Sequence, residues 1–268
     1  MINGYGNFEL HKSFLEAMVD YDAVCRKYDL KYCIHGGTAL GAIRHKGFIP
    51  WDDDVDIVML RKDYDKFIKI APKEFGNKYT VQTYKTEKKM LTNVMKIRIN
   101  NCKFLNDDGT DNNKAFLDIF PMSDVPNSKV GQSIQNKLVI FLNNVVYAKI
   151  GYIELQSIAS KVVFGTLSKL PRRFLGDIIE CVIKYFPHFR SKYVDIVATA
   201  NYLECTGYAM DLWPKSFFEE TELTEFCGKK FRITKHWNEY LTQMYGDYMT
   251  PPEESKRQNK HGMKAEEH

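Results

Sequence analysis

The sequence has no long apolar run. Its longest, Leu138 to Ala148, is interrupted by Asn143 and Asn144 and falls far short of the ~20 apolar residues a membrane span needs. No transmembrane helix is expected. Residues Met1 to Phe14 carry Glu9, His11 and Lys12 with no apolar stretch, so no secretory signal is expected there. Cysteine is sparse and unpatterned: Cys25, Cys33, Cys102, Cys181, Cys205 and Cys227 form no C-x-x-C pair. A chain of 268 residues can fold without disulfides, so these read as reduced core thiols of a cytoplasmic protein. Neither sign of charge dominates, with 38 Lys and Arg against 34 Asp and Glu. The net +4 is too small to argue for a nucleic-acid partner, and none is expected. Internal repeats and low-complexity segments are missing too. With 44% hydrophobic and 27% charged residues, what remains is an ordinary globular composition, which excludes a disordered chain.

Three stretches differ in pattern. Residues 1–125 mix helix and strand signals. An i, i+3, i+4 apolar rhythm predicts a helix over ~9–29, and Lys31 to Ile34 is β-prone. His35-Gly36-Gly37-Thr38 reads as a turn, followed by a short helix from Ala39 to Arg44 capped by Thr38. Strands are expected at Asp54 to Met59, Tyr79 to Tyr84, Val94 to Asn100 and Phe116 to Phe120, with a helix over Asp63 to Ala71. The fold class is therefore α/β or α+β around one mixed sheet with flanking helices. Residues 126–200 read as a mostly helical insertion. There, ten Lys and Arg stand against Glu154, Asp177, Glu180 and Asp195, an excess of six, and the rest of the chain carries −2. Such an excess is either a solvated helical face or a basic surface for anionic lipid or a polyanionic glycan. Residues 201–268 return to mixed character and are expected to pack back on the core.

The chemistry is concentrated between Gly36 and Ile57. Asp52, Asp53, Asp54 and Asp56 fall within five positions. In a strand Asp54 and Asp56 share one face while Val55 and Ile57 point to the core. Two carboxylates side by side against an apolar core are costly without a cation, and a hard divalent ion with oxygen ligands, Mg²⁺ or Mn²⁺, removes that cost. A solvated acidic turn is the plainer alternative. Upstream, Gly36 and Gly37 let the backbone come close to a phosphate, and Thr38 adds a hydroxyl at a helix start. Strand, G-G-T turn, short helix and a second strand carrying D-x-D make the active-site layout of the nucleotidyltransferase fold.

The stretch from His35 to Met59, with G-G-T-A-L-G-A and R-H-K-G-F-I-P-W-D-D-D, closely resembles the signature of the LicD/fukutin-related phosphotransferases. Arg61, Asp63 and Tyr64 fit that family's R-x-D-Y segment, and Phe116 to Pro121 its D-I-F-P strand. Tyr240-Leu241, Tyr245 to Met249 and Pro251-Pro252 fit its C-terminal motifs. The resemblance implies a nucleotidyltransferase-like fold that moves a phospho-substituent, often phosphocholine, from a CDP-linked donor such as CDP-choline to a hydroxyl of a cell-surface glycan. It further implies that Asp54, Asp56 and Asp118 hold Mg²⁺, with Asp118 also able to accept the attacking hydroxyl's proton. Gly36, Gly37 and Thr38 would face the donor diphosphate. Arg44, Lys46, Lys96 and Arg98 are the candidates for clamping it, and Trp51 and Asp53 for lining the substrate pocket. A quaternary ammonium is held against aromatic faces, so Trp51, Trp213, Tyr245 and Tyr248 are candidates. His45 and His261 read as supporting groups. The zinc site of some relatives is not carried over, because the cysteine spacing does not match. Thr234 to Trp237 lacks the proline expected there. The leading expectation is a phosphotransferase at the cytoplasmic side of the membrane. An NTP-using nucleotidyltransferase and a non-catalytic binding module of the same fold are the alternatives.

Overall fold

Helix α1 (Phe8–Lys27) follows the apolar rhythm, burying Leu10, Phe14, Ala17, Met18, Tyr21, Val24 and Cys25 along one stripe. After it come β1 (Cys33–Ile34), α2 (Gly36–Arg44), β2 (Asp56–Leu60), α3 (Arg61–Phe75), β3 (Tyr79–Gln82), β4 (Met95–Ile99), β5 (Phe104–Leu105) and β6 (Phe116–Val125). Helices α4 (Lys129–Lys149), α5 (Ile158–Leu167) and α6 (Arg172–Tyr185) are followed by β7 (Tyr193–Asp195), β8 (Trp213–Pro214) and α7 (Ser216–Glu219). The chain closes with β9 (Thr221–Phe226), β10 (Lys229–Thr234), α8 (Trp237–Tyr245) and β11 (Lys264–Ala265). The computed structural model describes residues 8–100, 104–105, 115–154, 157–186, 190–197, 212–257 and 264–265. Cys102, Cys205 and His261 lie outside them. The architecture is mixed α/β, as expected.

Two units emerge from the packing. The first gathers residues 1–81, 96–119 and 217–268, the second residues 82–95 and 120–216. In the first, strands follow the order β1-β2-β6-β4-β3. β1 and β2 run antiparallel, with Cys33 opposite Val58 and Ile34 opposite Ile57. Alternation sets the faces of β4: Met95, Ile97 and Ile99 are buried, Lys96 and Arg98 half-buried. The β9–β10 hairpin turns through Cys227 and Gly228, both in the left-handed region at φ 50° and 71°, the requirement of a tight two-residue turn. The Cys227 N–H at its tip donates to the Lys46 carbonyl at 2.7 Å.

In the second unit α4 and α6 bury Val139, Val145 and Val146 with Leu175, Ile179 and Ile183. β7 pairs antiparallel with the end of β6, Ser123 opposite Asp195 and Val125 opposite Tyr193. The segment before β4 is stitched to α6 by polar contacts. Buried Arg172 donates from Nε to the Met90 carbonyl at 3.1 Å and from Nη2 to Asn93 Oδ1 at 3.1 Å. The Tyr84 hydroxyl donates to Asp177 at 2.8 Å.

Four expectations need correction. Thr38 does not cap α2: the helix begins at Gly36, His35 is the N-cap, and no side chain caps it. Asp54 lies just before β2, though its half-burial beside buried Val55 keeps the expected alternation. The strand at Phe116 runs on to Val125, through Pro121. Cys25 and Cys33 are buried thiols, whereas Cys181 and Cys227 are exposed, so these two are not core residues.

Gly176 sits under the Tyr84 ring with no room for a Cβ. Gly176→Ala should therefore destabilise the second unit by about 1–3 kcal/mol, read as a lowered urea midpoint. An unchanged midpoint would show that the ring moves aside freely.

Candidate active site

The site grows from the first turn of α2. Gly36 adopts φ 51°, a conformation that only glycine takes without strain. A Cβ at Gly36 would lie 3.0 Å from Asp56 Oδ2, and one at Gly37 would lie 2.6 Å from Asp52 Oδ2. Both glycines thus let a helix N-terminus approach two carboxylates, an arrangement the helix dipole favours. Thr38 Oγ1 accepts the Asp56 backbone N–H at 3.0 Å. The hydroxyl expected to cap the helix instead fixes the start of the acid-bearing strand.

Behind this turn lies a buried relay that sequence reasoning did not foresee. The Gly36 N–H donates to the Tyr240 hydroxyl at 2.9 Å, and that hydroxyl lies 2.7 Å from His35 Nδ1. The hydroxyl thus ties the Gly36 N–H and the His35 ring into one buried contact. Burial pushes the His35 pKa down to about 4, so the ring is neutral at pH 7. The only sequence signal for this contact was the Tyr240-Leu241 motif, whose distance from Gly36 in the chain concealed it. Two other contacts were equally hidden. His11 donates from Nε2 to the Asp52 carbonyl at 2.7 Å while stacking on Phe48 at 4.3 Å. A Cβ on Gly36 would also lie 3.7 Å from the Tyr245 hydroxyl.

Gly36, Gly37, Thr38 and Asp56 therefore meet, joined by Asp52, while Asp54 stands half-exposed two residues before Asp56. Asp53 is fully buried, so its carboxylate does not line an open surface. Asp118 belongs to the strand beside β2, its N–H donating to the Val55 carbonyl at 2.9 Å. Its carboxylate is held by Lys96 at 2.7 Å, and the Lys96 ammonium also lies over the Phe116 ring at 3.5 Å. Arg98 shares the half-buried face of β4 with Lys96. Arg44 turns to the Tyr248 carbonyl, Nη1 donating at 2.8 Å. Lys46 is exposed, at φ 56°. Among the aromatic candidates, Trp213 is fully buried and belongs to the core, and Tyr248 is buried with its hydroxyl donating to Asn238 at 2.6 Å. Half-buried Trp51 has the Arg257 guanidinium over its face at 5.2 Å and the His45 ring edge-on at 6.1 Å. Burial, then the charges of Arg44 and Arg257, hold the His45 pKa below its ordinary value.

A divalent ion would make specific demands on this geometry. Among the described residues no group of three or more His, Cys, Asp or Glu is close enough to form a metal cage. Mg²⁺ needs less, since one or two carboxylates plus substrate phosphates suffice. Half-exposed Asp54 and Asp56, beside a turn kept free of side chains by two glycines, fit that requirement.

A glycine-rich helix start facing a D-x-D strand in a mixed α/β sheet is the layout of a nucleotidyltransferase-like fold. Residues 29–145 match the family described as LicD/FKTN/FKRP, nucleotidyltransferase domain. The chain is also 31% identical over 251 residues to the lipopolysaccharide cholinephosphotransferase LicD of Haemophilus influenzae, covering 90% of this chain and 91% of that one. Shorter similarities join it to uncharacterised proteins of Rickettsia typhi, 43% over 60 residues (22% of this chain, 19% of that one), and Rickettsia prowazekii, 41% over 69 residues (26% of each). The protein belongs to the LicD/FKTN/FKRP family.

The relay makes two measurable demands. Tyr240→Phe removes the hydroxyl that the Gly36 N–H and His35 Nδ1 share, and should destabilise the fold by about 1–3 kcal/mol. The folded pKa of His35 lies below its unfolded value, so the unfolded chain binds more protons between the two. The stability is complete above pH ~6.5 and falls as the pH drops toward 4, by about 3 kcal/mol at ~1.4 kcal/mol per pKa unit. Burial depresses His11 in the same direction. Urea midpoints measured across that window should decline, and His35→Asn should flatten the decline. A midpoint independent of pH would contradict the buried neutral imidazole.

Proposed function

We propose that this protein transfers phosphocholine from CDP-choline to a hydroxyl of a cell-surface glycan precursor on the cytoplasmic side of the membrane. The observation that carries the proposal is the double close approach of Gly36 to Asp56 and Gly37 to Asp52. It sets the start of α2, whose first two positions carry no side chain, beside half-exposed Asp56 and buried Asp52, and the N–H groups of such a helix end suit a diphosphate. Similarity to a lipopolysaccharide cholinephosphotransferase over nine-tenths of the chain supports choline as the substituent and a glycan as the acceptor.

Asp54 and Asp56 would hold Mg²⁺ or Mn²⁺, which when bound screens the charge of the diphosphate and of the departing nucleotide. The α2 N-terminus orients the phosphates, and Lys96 and Arg98 supply positive charge from one face of β4. The acceptor oxygen attacks the distal phosphorus and forms the new P–O bond. The bridging P–O bond breaks, and its electron pair leaves with CMP. Lys96 holds the Asp118 carboxylate, which supports leaving the metal to Asp54 and Asp56 in this reading. Asp118 takes up the acceptor's proton. The Trp51 face, which already accommodates the Arg257 guanidinium, is suited to the choline ammonium.

Purified protein incubated with CDP-choline, a glycan acceptor and Mg²⁺ should release CMP and label the acceptor. Pyrophosphate release from a nucleoside triphosphate, with no CMP from any CDP-linked donor, would replace the proposal with nucleotidyl transfer. Asp54→Asn and Asp56→Asn should each lower turnover more than about a hundredfold, since groups one layer outside a metal already cost about 10–100-fold. Substantial activity at saturating Mg²⁺ would remove them from the metal site. Asp118→Asn should lower kcat about a hundredfold or more while leaving the half-saturating Mg²⁺ concentration unchanged. A large rise in that concentration would return Asp118 to the metal.

A further inference from the structure

The second unit exposes apolar surface that its own core does not use. On α4, Val130, Ile134, Leu138 and Phe141 are 71%, 53%, 39% and 38% exposed. Their spacing of four, four and three residues puts them on one helical stripe. The rest of the helix already buries Val139, Val145, Val146 and Tyr147 together with Gln132, Gln135 and Asn143, so the outward apolar stripe is additional to the face that the core uses. A second apolar stripe of this kind is unusual for a helix whose outer face meets water. Helix α5, Ile-Ala-Ser-Lys-Val-Val-Phe-Gly-Thr-Leu, has no buried residue at all, with Ile158 83% and Val162 61% exposed. The rings of Phe141 and Phe164 pack at 5.4 Å and join the two helices.

Charge identifies what such a surface fits. Residues 126–176 contain seven Lys and Arg and a single acid, Glu154. Lys137, Lys161, Lys169 and Arg173 are exposed, with Phe174 beside Arg173 half-exposed. Lys137 lies on α4 at the border of the apolar stripe, one position before Leu138. Aliphatic and aromatic groups flanked by lysine and arginine, with almost no acid, are the composition of a helix lying in a membrane interface. No described helix is long and apolar enough to cross a membrane, so the arrangement suits lying on a bilayer rather than spanning one.

We propose that the outward faces of α4 and α5 dock this protein on an anionic lipid bilayer. Val130, Ile134, Ile158 and Val162 enter the acyl boundary, and Lys137, Lys161, Lys169 and Arg173 meet the headgroup phosphates. Insertion of the apolar groups distinguishes this from adsorption by charge alone. The proposal stands independently of the donor and acceptor assigned to the active site.

The test is flotation of the full chain with phosphatidylcholine vesicles with or without phosphatidylglycerol. Binding should require phosphatidylglycerol. Neutralising Lys161, Lys169 and Arg173 to Gln should weaken it about a hundredfold, at roughly fivefold per charge near the surface. Ile158→Asp with Val162→Asp should weaken it at least about tenfold at low salt, where the charges are untouched. Thermal melting checks that both variants fold, as expected for exposed positions. Equal, negligible binding to both vesicle types overturns the proposal. So does a concentration-dependent dimer that Ile134→Asp and Val162→Asp dissolve, because the face is then an interface between two copies. Vesicle binding that survives the aspartate pair but not the glutamine triple overturns insertion.

Discussion

The site depends on how closely two glycines approach two carboxylates. At Gly36 and Gly37 any side chain would occupy the space that Asp56 and Asp52 use, and Gly36 also needs a backbone conformation that other residues adopt only with strain. That approach brings the positive end of α2 to a strand rich in negative charge. It is held from behind by the Tyr240 hydroxyl, which accepts from the Gly36 N–H and is hydrogen-bonded to a neutral His35. A residue more than two hundred positions away in sequence thereby fixes the geometry of the glycine turn. Residues 217–268 consequently belong with the N-terminal residues in one unit.

The ionic groups divide between fixed and available roles. Lys96 is committed to Asp118, and Arg44 to a backbone carbonyl, so neither is a loose surface cation. Asp53 is buried completely while Asp54 and Asp56 remain half-exposed. Consecutive acids in one short turn thus have different tasks, and alternation along the strand decides which faces solvent. The same rule puts Lys96 and Arg98 on one face of β4.

Much of this was legible in the sequence. The mixed α/β class, the helix over Phe8–Lys27 and the strand at Met95–Ile99 follow from local periodicity, which a single chain carries. The G-G-T turn and the acid cluster were legible because their residues are neighbours in the chain. Partners from distant segments were hidden: His11 on the Asp52 carbonyl, Tyr240 on Gly36, Arg257 on Trp51. No local pattern announces a contact whose two halves are separated by most of the chain. Thr38 was misassigned because a hydroxyl at a helix start usually caps it, whereas here the Asp56 N–H competes for that oxygen and wins. Likewise, the continuation of β6 through Pro121 was obscured because proline normally argues against a strand interior. Cys227 was misread as core because nothing local shows that it forms the exposed tip of a hairpin.

The central claim is that the glycine turn exists to keep a charged ligand site open against Asp56. Mn²⁺ binding to purified protein, followed by electron paramagnetic resonance, tests it without any assumption about the substrate. In Gly36→Ala the added methyl would meet Asp56 Oδ2, and the account predicts Mn²⁺ affinity at least about tenfold weaker in a chain whose circular dichroism still shows the native fold. Mn²⁺ affinity equal to that of the unmodified protein, in a folded Gly36→Ala chain, would contradict it.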